Sequence, residues 1–196
     1  MFVEKLTIRD FRSFDEVEIP LRQDLTILVG ENNAGKSNAI DALRLITHPM
    51  SGRREIYCER SDFRRGASQR VFEITATCSD LTSGQQGRFI SAAVDTSLTK
   101  IVFGVTCADL QFKPQLRPTF WAGGKRGTPE IGALDGIRHV YLPPLRDARQ
   151  ALASGNPARI YPLLRHFLGA ETPEELARKL SRARSDAQIL KSIADA

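Results

Sequence analysis

Residues 2–8 and 17–19 alternate apolar with polar positions, the period of a strand with one covered face. They are joined by Asp10-Phe11-Arg12-Ser13-Phe14-Asp15, so the pair predicts a hairpin. After Pro20 the run Leu25-Thr26-Ile27-Leu28-Val29 is short and apolar almost throughout, which predicts a strand covered on both faces of a sheet. It stops at Gly30. From Lys36 the period lengthens, because Ala39, Ile40, Leu43 and Ile46 fall on one helical face until Pro49 and Gly52 break the pattern. The opening of the chain therefore reads as hairpin, strand, glycine loop, helix.

Residues 53–70 are Arg-rich and irregular and are expected to be loop. Three strand-like runs follow, 71–78, 88–94 and 100–106, separated by Ser/Gly/Thr-rich turns as in an antiparallel meander. Residues 112–121 predict one more strand before the loop Ala122-Gly123-Gly124-Lys125-Arg126-Gly127-Thr128, read as a flexible turn because no Ser or Thr directly follows Lys125. Ile137-Arg138-His139-Val140-Tyr141-Leu142 returns to a central strand, stopped by Pro143-Pro144, and the rest is helical over 145–153, 160–168 and a final segment. Thr172 with Glu175 forms a capping box with Pro173 at the first helical position, and Leu176, Leu180, Ala183, Ala187 and Leu190 make a seam. That seam suits core packing or a short coiled coil. The expected class is α/β, in three stretches: 1–52 with hairpin, strand and helix, 53–136 as an antiparallel β region, and 137–196 as a strand followed by helices.

Composition narrows the setting. With 196 residues, 41% hydrophobic and 26% charged, the chain can bury one ordinary core. No run approaches the ~18 apolar residues of a membrane span, so no membrane partner and a cytoplasmic location are expected. Cys58, Cys78 and Cys107 form no CxxC pair, and His48, His139 and His166 lack metal-ligand spacing, so reduced buried thiols are expected. The net charge of +5 is concentrated at Arg53, Arg54, Arg60, Arg64, Arg65 and Arg70, which suit a solvated loop or a nucleic-acid backbone equally.

The candidate chemistry lies at Gly30-Glu31-Asn32-Asn33-Ala34-Gly35-Lys36-Ser37. This is the Walker A pattern G-x-x-x-x-G-K-[ST], with a β run before it and a helical period after it. A triphosphate concentrates negative charge, so its site needs many converging donors and little side-chain bulk. Gly30 and Gly35 free the backbone N–H groups, the helix supplies its positive end, and Lys36 adds a mobile charge. Ser37 offers its hydroxyl to Mg²⁺, and Asn32, Asn33, Ala34 and Asn38 complete the set expected to bind ATP with Mg²⁺.

The hairpin before the loop sorts the families. Leu6-Thr7-Ile8-Arg9-Asp10-Phe11-Arg12-Ser13-Phe14 and then Leu28 to Asn38 resemble the amino-terminal lobe of RecF and SMC-type ATPases, a branch of the ABC ATPases. The Glu-Asn-Asn-Ala form of the loop and Tyr141-Leu142-Pro143-Pro144-Leu145-Arg146-Asp147-Ala148 resemble more narrowly the OLD family of ATP-dependent endonucleases. The resemblance covers 1–47 and 137–150. It implies that Arg12, and less directly Arg9, touch the nucleotide, that Arg146 senses the γ-phosphate or DNA, and that the heads pair as a homodimer or larger assembly on DNA.

Hydrolysis in that branch needs an apolar strand ending in Asp-Glu, and Val105-Thr106-Cys107-Ala108-Asp109 is interrupted by polar residues and followed by Leu110. Neither a Leu-Ser-Gly-Gly-like signature nor the acidic cluster of a Toprim nuclease occurs, so no catalytic residue is assigned. The chain is expected to be a fragment, or one part of a longer or split protein, that hydrolyses ATP only with further sequence. Alternatives are a RecF- or SMC-like DNA-binding ATPase without nuclease, a stand-alone small-molecule kinase with 53–70 as lid, and a nucleotide-sensing module.

Overall fold

Alternation along the first strand sets the architecture. In the computed structural model, which describes residues 1–49, 56–110, 116–130, 136–141 and Glu175, Arg178, Ser181 and Arg182, β1 (Phe2–Phe11) buries Leu6, Ile8 and Phe11 on one face. It pairs antiparallel with β2 (Phe14–Pro20), Phe11 standing opposite Phe14, so the turn is only Arg12 and Ser13. On its other edge β1 pairs with β4 (Val71–Ser79), where Phe72, Ile74, Ala76 and Cys78 alternate inward. β5 (Ile101–Ala108) and β6 (Thr119–Ala122) complete a five-stranded antiparallel sheet of order β2-β1-β4-β5-β6. Hairpin and meander thus share one sheet.

Helix α1 (Lys36–Ile46) covers the inner face, packing on β1, β4 and β5. Its buried stripe is Ala39, Ala42, Leu45 and Ile46, rotated from the expected one, and Ile40 is largely exposed. Small alanines let the helix approach the sheet closely. Edge-to-face contacts of Phe11 on Phe72 (5.1 Å) and Phe89 on Phe103 (5.6 Å) fill the ends of this core. Beyond the helix, the short β3 (His48–Pro49) and β7 (Arg138–His139) pair in parallel, where the return to a central strand was expected. The buried Thr47 hydroxyl donates to the Leu43 carbonyl and so accepts from His139 Nδ1 at 2.7 Å.

Three expectations change. Residues 25–29 form no strand: Leu25, Ile27 and Val29 are 66%, 71% and 89% exposed, because among the described residues no neighbouring backbone offers them a ladder. Residues 88–94 are likewise not a strand. Thr82 N–H donates to Gln85 Oε1 (2.9 Å), a helix-starting device that opens α2 (Ser83–Arg88), and a 3₁₀ turn at Ile90–Ala92 follows. Residues 112–121 give only the short β6, their start lying outside the described residues. The loop after β6 is the expected turn, closed by a pair of backbone hydrogen bonds between Ala122 and Gly127.

The chain divides into two compact units, Met1–Pro49 with Arg54–His139, and Met50–Arg53 with Val140–Ala196. In the second, Glu175, Arg178, Ser181 and Arg182 are helical. The helices expected over 145–153 and 160–168, Arg146, the Thr172 cap and the Leu176 to Leu190 seam lie outside the described residues. No helix among the described residues is long and apolar enough to cross a membrane.

Two local devices hold the first unit. On the outer face of the sheet Trp121 lies over Gly104, its indole N–H donating to Thr106 Oγ1 (3.0 Å) and the Arg126 guanidinium stacking on it at 4.7 Å. A Cβ on Gly104 would sit 2.0 Å from the indole. The second device is at the hairpin turn. Arg12 adopts a positive φ of 50°, which costs a non-glycine residue about 1 kcal/mol, and its guanidinium donates to Asp62 (2.8 Å), Asp41 (2.7 Å) and Asn38 (3.2 Å). Asp62, 1% exposed in the 3₁₀ turn Arg60–Asp62, also accepts the Glu59 N–H.

Gly104→Ala should therefore lower unfolding free energy in urea by about 1–3 kcal/mol, since the indole must leave its seat; a change within measurement error would show that Trp121 packs elsewhere. Asp62→Ala should cost about 2–4 kcal/mol, as it strands a half-buried guanidinium and the Glu59 N–H. Retained stability in that variant would remove the clamp from the account.

Candidate nucleotide-binding site

The glycine loop fits its place for two reasons. Gly35 has φ 89° and serves as the N-cap of α1, and a Cβ there would come within 2.9 Å of the Phe14 ring and 3.1 Å of Ser13 Oγ. The hairpin turn thus presses directly on the loop, and any side chain at this position would part them. Asn33 also has a positive φ (67°), so the loop bends at two left-handed residues. Ala34 N–H donates to the Glu31 carbonyl (3.2 Å), closing the crown on which Asn32 is exposed.

The helix start is left open for an anion. The Ala39 N–H donates to the Gly35 carbonyl, so the N–H groups of Lys36, Ser37 and Asn38 precede that bond. No side-chain cap and no acidic residue occupies the first turn, which leaves the positive helix end uncompensated. Lys36 folds back, its ammonium donating to the carbonyls of Gly30 (2.7 Å) and Glu31 (2.6 Å). These neutral acceptors hold the charge at the mouth of the loop, where a phosphate can replace them. Ser37 is exposed on the first turn. The donor set, free of competing carboxylates and with a hydroxyl beside it, fits a nucleotide phosphate chain with a magnesium ion.

Asn38 faces the hairpin: its amide donates to Ser13 Oγ (2.9 Å) and its oxygen accepts from Arg12. Arg12 itself is tied by the clamp. Burial works against its charge, but the hydrogen bonds to Asp62 and Asp41 outweigh it and hold its pKa above the ordinary value. Arg9 lies on β1, donating to Glu16 (2.6 Å) on the neighbouring strand, and that hydrogen bond raises its pKa. Asp109 receives Arg70 (3.0 Å) and Arg60 (3.5 Å), so it anchors the middle and the end of the Arg-rich segment. Among the described residues no group of three or more His, Cys, Asp or Glu side chains could hold a metal ion.

Beside the loop an open depression of about 600 Å³ is lined by Arg12, Ser13, Ser61, Phe63, Arg64 and Arg65. Sequence reasoning missed this wall, since residues 53–70 carry no periodicity. Arg64 bonds Asp10 (2.7 Å) and Asp15 (2.9 Å), and the Asp10 hydrogen bond raises its pKa. The alternation of Asp10, Arg12 and Asp15 against Asp62 and Arg64 was the available signal, visible only once the segments are side by side.

Residues 1–90 match the family described as AAA ATPase domain. The chain is 34% identical over 53 residues to the DNA replication and repair protein RecF of Halalkalibacterium halodurans, a stretch covering 27% of this chain and 14% of that protein. It is 37% identical over 95 residues to the chromosome partition protein Smc of Methylococcus capsulatus, covering 44% of this chain and 8% of that one. The chain thus spans a small part of these relatives. A solved structure, from work on ATP-driven dimerization and DNA-stimulated activation of SMC ATPases, superposes with a TM-score of 0.54 at 20% identity, over 82% of this chain and 96% of that one. The fold is therefore that of the amino-terminal lobe of a P-loop, SMC-type ABC ATPase, and its leading residues are similar in sequence to RecF and Smc.

Proposed function

We propose that the chain is the ATP-binding lobe of a DNA-associated ATPase of the RecF/SMC type. The observation that carries this reading is the open, acid-free start of α1 with Lys36 folded across the mouth of a loop that only glycine can form at position 35. In it the backbone N–H groups of Gly30, Asn32, Asn33, Gly35, Lys36, Ser37 and Asn38 would cradle the phosphates, Ala34 would close the crown through its bond to Glu31, the Lys36 ammonium would turn from the Gly30 and Glu31 carbonyls to the phosphates, and the Ser37 hydroxyl would hold Mg²⁺. Once bound there, magnesium would supply charge neutralisation. The depression beside Arg12 and Phe63 has the volume for the nucleoside end.

The exposed run Leu25-Thr26-Ile27-Leu28-Val29 supports a head completed by strands contributed from outside the described residues, which also bring the acids that hydrolysis needs. Pairing of two such heads on DNA is carried over, as a proposal, from what is said of the SMC structure. The narrower OLD-type nuclease reading rests on the Glu31-Asn32-Asn33-Ala34 and Tyr141 to Ala148 sequences alone. A kinase lid at 53–70 is disfavoured, because Arg60, Arg64 and Arg70 are engaged by Asp109, Asp10 and Asp15.

Titration with a fluorescent ATP analogue and Mg²⁺ should show saturable binding, weakened at least about tenfold in Lys36→Ala, with turnover near background for both proteins. Equal affinity of wild type and variant would move the nucleotide away from this loop. Brisk hydrolysis by the 196-residue chain, abolished in Lys36→Ala, would overturn the incomplete-head part of the proposal.

A further inference from the structure

The hydrogen bonds around the depression beside the glycine loop have one fixed polarity. A guanidinium can only donate, so the Asn38 oxygen faces Arg12 (3.2 Å) and the Asn38 amide turns toward Ser13 Oγ (2.9 Å). The Ser13 oxygen thus accepts from Asn38, and its proton is left for the depression. Ser61 runs the other way: its hydroxyl donates to Glu59 (3.2 Å), so it presents an oxygen, while every other polar side chain of the lining presents a donor. The three arginines are not equivalent. Arg12 uses Nε and Nη1 on Asp62, Asp41 and Asn38, and Arg64 uses Nε and Nη2 on Asp10 and Asp15, which leaves each with one terminal nitrogen. Arg65 is exposed and has no hydrogen bond or ion pair among the described residues, so it alone keeps a whole two-nitrogen fork. Phe63 is no stacking platform, being 6% exposed, with Phe72 at 5.3 Å and the Arg70 guanidinium over its ring at 5.3 Å. Hydrogen bonds, not stacking, therefore sort what enters.

We propose that the nucleoside end of the site selects guanine over adenine, with Arg65 as the specificity-determining residue. Guanine presents two adjacent acceptors, O6 and N7, and a guanidinium fork meets them with two parallel N–H bonds. Adenine presents N7 beside the N6 amino group, whose protons would point at donors. No carboxylate or amide side chain lines the depression to receive that amino group. Ser13 borders both the depression and Gly35, so a nucleotide with its phosphates on the loop has the depression as the neighbouring space for its base. This selection rests on the nucleotide reading of the glycine loop; ATP still binds through its phosphates.

With the full chain and Mg²⁺, displacement of a ribose-labelled fluorescent nucleotide should need about tenfold less GTP than ATP. ITP, which keeps O6 and N7, should match GTP, and 7-deaza-GTP, which lacks the N7 acceptor, should fall toward ATP. Arg65→Ala, at an exposed position and checked for fold by circular dichroism, should bring GTP and ATP to within about twofold of each other. ATP displacing the label as well as GTP does, from a site that Lys36→Ala weakens, would overturn the base assignment alone, and so would a GTP preference that survives Arg65→Ala. Absence of saturable binding by any of these triphosphates would overturn the reading of the loop and the base assignment with it.

Discussion

The Arg12 guanidinium joins three elements that share no covalent neighbourhood: the β1–β2 turn that carries it, helix α1 through Asp41 and Asn38, and the 3₁₀ turn through Asp62. The turn that presses on the glycine loop is held at that junction. Arg12 sits in a left-handed conformation that few residues other than glycine adopt, and the turn it forms carries Ser13 and leads into Phe14, which press on Gly35. Of its two carboxylate partners Asp62 is fully buried and Asp41 partly so, and the junction therefore resists solvent screening better than exposed pairs such as Lys5 with Glu18. The loop is shaped from behind by the hairpin, and the hairpin is held by this ion-pair node.

In front, the loop is open. The helix start carries no competing acid, Lys36 rests on two carbonyls, and the apolar run leading into Gly30 is exposed. A rigid rear wall with an unpartnered front suits a site that is preorganised for phosphate and finished by other strands. The Arg-rich segment contributes less positive charge than its composition implies, since Asp10, Asp15 and Asp109 take up Arg60, Arg64 and Arg70, three of its four described arginines. A basic count is therefore a poor guide to a basic surface here.

Local signals were readable from the sequence, and long-range ones were not. The Gly30 to Ser37 spacing, the opening hairpin and the alternation in β4 and β5 each depend on neighbours within a few residues, and each is found. The run at 88–94 misled because Phe89, Ile90 and Val94 are apolar, although Thr82 and Gln85 already offered a helix start. Residues 25–29 misled for another reason: strand character in the sequence gives no partner strand, and a ladder needs one. Ser61 and Phe63 gave no signal, and the charge of Asp62 becomes one only beside a turn some fifty residues earlier.

The central claim is that the amides at the start of α1 receive the phosphates of a magnesium nucleotide. Amide NMR spectra recorded during titration with Mg²⁺-ATP test it most directly. The account predicts that the largest shifts fall on Gly35, Lys36, Ser37 and Asn38, with smaller ones on Arg12 and Ser13 across the Asn38 bridge. Shifts confined to other parts of the sheet, or none at saturating nucleotide, would contradict it.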